Sequence, residues 1–307
     1  MILCASGLRF VSGVGDPEQV IRLAADAGFD GVALGADCTR GHITALAAAA
    51  LAAGLAVPVV AAPLADAPLG VGRRLPYLAS LDDSDERRAA IALFTGVLES
   101  AASLGIRTLT VHLGEVALGV DAAQIAHRYA RRELLDEDEP GARLWAAALG
   151  ERRALSGLVS DACRYALDRI LPHAERRDIA VAIEIAAGPW SAPTPREALS
   201  LLDEYGSAPV GVVWDAARMQ VLTTLGIAPA PARYAALAAG ATIWRATDAV
   251  GVESGYLPGL GDPPVGPGDT SQPTPTTGIP VIVAGHPNST IHEVAEARAR
   301  VATALAL

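Results

Sequence analysis

The sequence predicts an α/β fold, a closed (β/α)8 barrel of the TIM type, on three observations. Short apolar, β-branched runs recur along the whole chain, and longer amphipathic stretches separate them. Helix-start signals and glycines punctuate those stretches. The length of 307 residues suits one large barrel, so residues 1–307 are read as a single domain.

Taken in order, the first strand is expected at residues 2–5, followed by a helix over 16–27 that opens on Asp16-Pro17. Strands two and three fall at 31–34 and 55–61, with helical periodicity over 42–53 between them and over 84–104 after them. Strand four is expected at 108–112 and strand five at 180–185, with a helix over 154–176 between them. A helix over 194–205 opens on Thr194-Pro195, and strands six, seven and eight follow at 210–214, 242–246 and 280–283. A last helix covers 291–305. Gly28, Gly54, Gly105 and Gly206 stand where helices should end.

Two segments break the rhythm. Residues 115–150 include the acidic run Leu135-Asp136-Glu137-Asp138-Glu139-Pro140 and read as a solvated insertion after strand four. Residues 257–278 are rich in Pro, Gly and Thr and cannot sustain a helix, so the barrel is expected to lack a regular helix between strands seven and eight. A long loop there is either a lid over the mouth or a plain surface segment.

Composition excludes several functions. A net charge of −10 and an aromatic content of 4% argue against nucleic acid, which demands a basic footprint and stacking platforms. Cys4, Cys38 and Cys163 are scattered, without the spacing of a disulfide framework or a structural zinc site. No uninterrupted apolar run could span a bilayer and no leader pattern opens the chain, so a cytoplasmic protein with no membrane partner is expected. All 24 basic residues are Arg; without a Lys amine, Schiff-base and pyridoxal phosphate chemistry are excluded. Neither a dinucleotide fingerprint nor a P-loop is present.

In such a barrel the residues that end each strand point into the mouth, so candidates are sought there. A charge within an apolar strand is costly unless paired or used, which singles out Glu184 in Val181-Ala182-Ile183-Glu184-Ile185. Asp215, after Val213-Trp214, is second. Each has a structural alternative: Glu184 could pair with a neighbouring Arg, and Asp215 could cap the following turn. His112 ends strand four as a proton carrier, a hydroxyl-orienting group or a lining residue. Arg245 joins Glu184 and His112 as a catalytic candidate, and Asp215, Trp214, Arg218, Asp248 and His286 are the expected substrate contacts.

The segments Asp26-Ala27-Gly28-Phe29-Asp30-Gly31-Val32, Ala102-Ser103-Leu104-Gly105-Ile106-Arg107-Thr108-Leu109-Thr110-Val111-His112-Leu113-Gly114, Val181-Ala182-Ile183-Glu184, Val213-Trp214-Asp215 and Leu257-Pro258-Gly259-Leu260-Gly261 occur in that order. In this the chain resembles the xylose isomerase-like barrel superfamily, which holds sugar isomerases, sugar epimerases, related dehydratases and apurinic endonucleases. The resemblance covers nearly the whole chain. It implies a divalent metal held by a strand-five Glu, a strand-six Asp, a strand-seven His and a strand-eight Glu, of which Glu184 and Asp215 match the first two. The sequence departs from the pattern at Arg245, Arg218, Ala33 and near Ala284, where the family has His, His, an acidic residue and Glu. Neither a guanidinium nor a methyl group has a lone pair for a metal, so the metal site is expected to be degenerate. No cofactor is expected beyond weakly held Mn2+, Mg2+ or Zn2+ at Glu184 and Asp215.

Two functions follow. One is a sugar or cyclic-polyol isomerase or epimerase, or a related dehydratase, with Glu184 taking a proton beside a carbonyl and Arg245, Arg218 or His112 stabilising the enolate. The other is a non-catalytic, repurposed small-molecule-binding barrel in which Arg218 and Arg245 fill the former metal site. The partner is a small molecule, anionic if the arginines hold it, and a homo-oligomer is compatible with either. An accessible Glu184 favours the first and a Glu184 sealed in ion pairs the second.

Overall fold

The computed structural model describes residues 1–6, 17–35, 38–65, 74–81, 83–118, 127–128, 140–186, 188–228, 234–250, 253–256, 275–276, 278–284 and 289–307. The elements begin with β1 (Ile2–Ser6), α1 (Pro17–Asp26), β2 (Gly31–Leu34), α2 (Arg40–Ala52), β3 (Ala56–Ala62), α3 (Ser84–Ser103) and β4 (Thr108–Val111). There follow β5 (Gly114–Glu115), α4 (Pro140–Ala154), α5 (Ser156–Glu175), β6 (Ala180–Ile183), β7 (Ser191–Ala192), α6 (Pro195–Glu204), β8 (Val210–Asp215) and α7 (Ala216–Thr224). The chain ends with α8 (Ala235–Ala239), β9 (Ala241–Ala246), β10 (Asp248–Val250), β11 (Glu253–Tyr256), β12 (Pro280–Val283) and α9 (Ile291–Ala304).

Eight strands close a parallel barrel in the order β1-β2-β3-β4-β6-β8-β9-β12, with β12 returning to β1. These are the eight strands the sequence predicts, and the six predicted helices are also present. α1 and α3 stop where expected, because Gly28 and Gly105 take left-handed backbone angles that a side chain would disfavour. The predicted loop at 257–278 lies almost wholly outside the described residues; the chain leaving β9 enters an antiparallel pair, β10 with β11. No helix among the described residues is long and apolar enough to cross a membrane.

The solvated-insertion reading needs correction at its C-terminal end. Residues 140–150 belong to α4, which buries Gly141, Trp145, Ala148 and Arg152. That spacing is a helical stripe, and its Trp145 and Ala148 form a small second core with Ala217, Val221 and Leu225. Its apolar face is narrow, and the acidic run before it masks the periodicity. Leu155 separates α4 from α5, where the sequence shows one start near residue 154.

Side chains alternate across each strand, so every barrel strand serves two cores. Cys4, Ala33, Val59, Ala182, Val213, Ile243 and Ile282 cluster together as the barrel interior. Leu3, Ala5, Val32, Leu34, Val60, Val181, Ile183, Val212, Trp214 and Trp244 join the helices in the main outer core. The interior set therefore fixes what comes two residues later at the mouth. Ala182 leads to Glu184, Val213 to Asp215, Ile243 to Arg245 and Ile282 to Ala284.

One buried ion pair anchors the rim. Arg152, 4% exposed, donates from Nη1 and Nη2 to Glu197 Oε1 and Oε2 at 2.9 and 2.5 Å. It also donates to the carbonyls of Pro189 and Ser191 at 2.9 and 3.1 Å. Glu197 further accepts from Ser156 Oγ at 2.6 Å and from the Thr194 amide at 2.8 Å, the latter as part of a capping box that starts α6. Burial pushes the Glu197 carboxyl up, but the hydrogen bonds from Arg152, Ser156 and Thr194 outweigh it and hold it below its ordinary value. Arg152→Met would leave that carboxylate buried without its counter-charge, at a cost of about 3–5 kcal/mol. Urea denaturation should show this loss and a partial recovery in Arg152→Met/Glu197→Gln; a single variant as stable as the parent would contradict the anchoring role.

Candidate functional site

The mouth is built at the ends of four adjacent barrel strands. The Glu184 amide donates to Val111 O at 2.8 Å, which carries the β4–β6 register one step further and sets Glu184 beside His112. Asp215 lies opposite Arg245 in the β8–β9 register. Asp215 also caps α7, since its Oδ1 accepts from the Arg218 amide at 3.2 Å, and this local turn places Arg218 over the same opening.

Glu184 is held from two sides. Arg245 Nη2 donates to Oε1 at 2.7 Å, while Arg245 Nη1 and Arg218 Nη1 reach Oε2 at 3.4 and 3.3 Å. Arg218 also donates to Ile185 O at 3.2 Å, and its Nε lies 3.2 Å from Asp215 Oδ2. The side chains of Glu184, Arg245 and Arg218 are 19%, 13% and 25% exposed, so the cluster lies at the edge of solvent. Burial alone would raise the Glu184 carboxyl. The charges of Arg245 and Arg218 and the Arg245 hydrogen bond overcome that and hold it well below the usual carboxylate range. The same contacts raise the Arg245 guanidinium against the lowering effect of its burial.

His112 stands on the other side of Glu184. Burial holds its imidazole below the ordinary value, with the charge of Arg218 acting the same way and the charges of Glu184 and Glu115 opposing it. Its Nε2 is buried and has no hydrogen-bond partner among the described residues. Tyr77 packs against the ring edge-on, with centroids 5.7 Å apart, and donates from its hydroxyl to Glu115 Oε2 at 2.7 Å.

Glu184, Asp215, Arg218, Arg245 and His112 are thus brought together, and both structural alternatives are observed: Glu184 pairs with arginines and Asp215 caps a helix. Trp214 is a correction. It is 2% exposed and faces the outer core against Trp244, centroids 6.0 Å apart, because Asp215 next to it takes the inward position. Asp248 is fully buried at the start of β10. His286 lies outside the described residues. Two contributors escaped the sequence reading. Thr247, 2% exposed, donates from Oγ1 to Asp215 Oδ1 at 2.8 Å, and its position two residues after inward-facing Arg245 could have revealed it. Tyr77 enters from a loop, where no periodic signal exists.

The protein-family model for the xylose isomerase-like TIM barrel matches residues 21–252. The chain belongs to the xylose isomerase-like TIM barrel family. Among solved structures of this fold, it is similar to a 3-keto-D-glucoside 4-epimerase from E. coli, at 14% identity over 99% of both chains with a TM-score of 0.63. It is similar to the IolI protein with a bound zinc atom, at 12% identity over 100% of this chain and 98% of that one, TM-score 0.65. A third is a xylose isomerase-like TIM barrel protein from Mycobacterium smegmatis in complex with magnesium, at 14% identity over 99% and 97% of the chains, TM-score 0.55. No curated protein matches the sequence.

Two of these similar structures hold zinc or magnesium, so the fit of this mouth to such an ion is a physical question. Among the described residues no group of three or more His, Cys, Asp or Glu side chains could hold one. Both oxygens of Glu184 are occupied by guanidinium groups, and the nitrogens of Arg218 and Arg245 are donors only. A cation at Glu184 and Asp215 would meet two permanent positive charges, and the described residues do not fit it.

Because the Glu184 pKa is depressed in the folded state, the unfolded chain takes up this proton first as pH falls. The stability contributed by Glu184 is therefore complete above about pH 5 and declines from there toward the lowest accessible pH. Glu184→Gln should be less stable at neutral pH and should lose up to about 1.4 kcal/mol per pH unit of the acid slope. Guanidinium titrations at several pH values between neutral and acid give both slopes; parallel slopes would remove the ion-pair account.

Proposed function

We propose that the mouth is a metal-independent site for an anionic, polyhydroxylated or keto-bearing small molecule, in a repurposed barrel of the sugar isomerase and epimerase type. The reading treats residues 1–307 as one barrel domain. The observation that carries it is the bridging of Glu184 by two guanidinium groups at the edge of solvent. A planar guanidinium has donors to spare after pairing with one carboxylate, so Arg218 and Arg245 can hold a second anion beside Glu184. The class of ligand follows the family, of which the similar 3-keto-D-glucoside 4-epimerase is one example.

In this site Asp215 and Thr247 keep Arg218 in place, and Glu184 sets the spacing between the two guanidinium groups. A carboxylate held so far below its ordinary pKa is a weak proton acceptor, which argues against Glu184 as the base while the ion pairs persist. Proton transfer is a second reading, favoured by the imidazole of His112, which burial holds below its ordinary pKa and whose buried Nε2 has no partner among the described residues. His112 would then take a proton from carbon next to a carbonyl, and Arg218 and Arg245 would stabilise the enolate oxygen.

Calorimetric titration with 2-keto-D-gluconate, D-fructose and MnCl2 tests the proposal. The keto acid is expected to bind, the neutral sugar to bind at least about tenfold more weakly, and Arg218→Gln to lose that preference. Stoichiometric Mn2+ binding that disappears in Asp215→Ala would overturn it. Deuterium incorporation from D2O into the bound keto acid, lost in His112→Ala, would select the proton-transfer reading.

A further inference from the structure

A second cavity, of about 570 Å3, opens on the rim where the end of α4, the start of α5, the start of α6 and the turn after α7 meet. None of Glu184, Asp215, Arg218 and Arg245 lines it, so it is separate from the mouth. In a protein of net charge −10 its charged lining among the described residues is four arginines, Arg152, Arg153, Arg164 and Arg196, against one carboxylate, Glu197. The balance is uneven among them. Arg152 is neutralised by Glu197, and Arg164 is shared by Asp161 at 2.9 Å and Glu204 at 2.7 Å. Arg153 and Arg196 are exposed and form no ion pair with any described residue.

The cavity thus presents two uncompensated guanidinium groups on walls that the Arg152–Glu197 anchor holds fixed. Arg153 follows Arg152 at the end of α4, and Arg196 precedes Glu197 at the start of α6, so both free cations flank the two halves of the buried pair. Ser160 adds a hydroxyl donor, and Leu149 and Ile227 supply apolar wall. The volume lies in the range of small-molecule sites. Two guanidinium forks match a compact dianion, and the apolar wall suits a small organic group attached to it. Among the described residues no aromatic side chain lines the cavity to stack a base.

We propose that this rim cavity is a binding site for a small organic phosphate monoester, held by Arg153 and Arg196 and independent of the barrel mouth. The α6 N-terminus is not the source of affinity, since Glu197 and Thr194 already satisfy it.

The test is calorimetric titration of the full chain with glycerol 3-phosphate, inorganic phosphate, succinate and glycerol. Glycerol 3-phosphate is expected to bind, inorganic phosphate more weakly, and glycerol not at all. Arg153→Gln/Arg196→Gln should weaken the phosphate ester by at least about tenfold without changing the thermal midpoint of the unliganded protein, because both side chains are exposed. Arg218→Gln should bind it as the parent does, which separates this site from the proposed ligand at the mouth. Undiminished binding in the double variant, loss of binding in Arg218→Gln, or succinate binding as tightly as glycerol 3-phosphate would each overturn the assignment.

Discussion

Closure of the barrel is the constraint on which everything at the mouth depends. Once β12 returns to β1 in parallel register, each strand has one inward face and no freedom to turn a residue the other way. The interior is narrow and filled by Cys4, Ala33, Val59, Ala182, Val213, Ile243 and Ile282. A charged group cannot enter at that level. It can stand only one step higher, where water begins, and Glu184, Asp215 and Arg245 occupy that step.

The chain uses the Arg–carboxylate pair in two settings with different physical consequences. The side chains of Arg152 and Glu197 are 5% and 6% exposed, and every oxygen and nitrogen engaged there has a protein partner, so the pair serves as a fixed joint. Glu184 with Arg245 and Arg218 lies in wetter surroundings, where the desolvation cost is smaller and an incoming anion can compete for the guanidinium groups. A backbone strap connects the two. Arg152 binds the carbonyls of Pro189 and Ser191, Ser191 Oγ accepts from the Ala186 amide at 3.0 Å, and Ile185 accepts from Arg218.

The strands were legible because their apolar, β-branched runs are short and regularly spaced, and Glu184 was legible because a carboxylate in such a run has few explanations. Trp214 was misread although the sequence contained the answer: with a period of two, an inward Asp215 requires an outward Trp214. Thr247 follows the same parity from Arg245. The Arg152–Glu197 joint was not legible, since the partners are 45 residues apart and the helix carrying Arg152 has too narrow an apolar stripe to stand out beside an acidic run. Tyr77 depends on the path of a loop, and paths of loops are set by packing that no local pattern encodes.

The three interlocked charges at the mouth also bear on how such a sequence can change over generations. Replacing Glu184 alone leaves Arg245 without its hydrogen-bonded counter-charge and Arg218 with Asp215 only, and replacing Arg245 alone leaves the Glu184 carboxylate with Arg218 only. A metal ligand introduced at the position of Arg245 would bring a divalent ion against Arg218 before that residue could be exchanged. Each single step passes through a less stable protein, so drift at this site is expected to move in coordinated pairs, and the cluster resists gradual change.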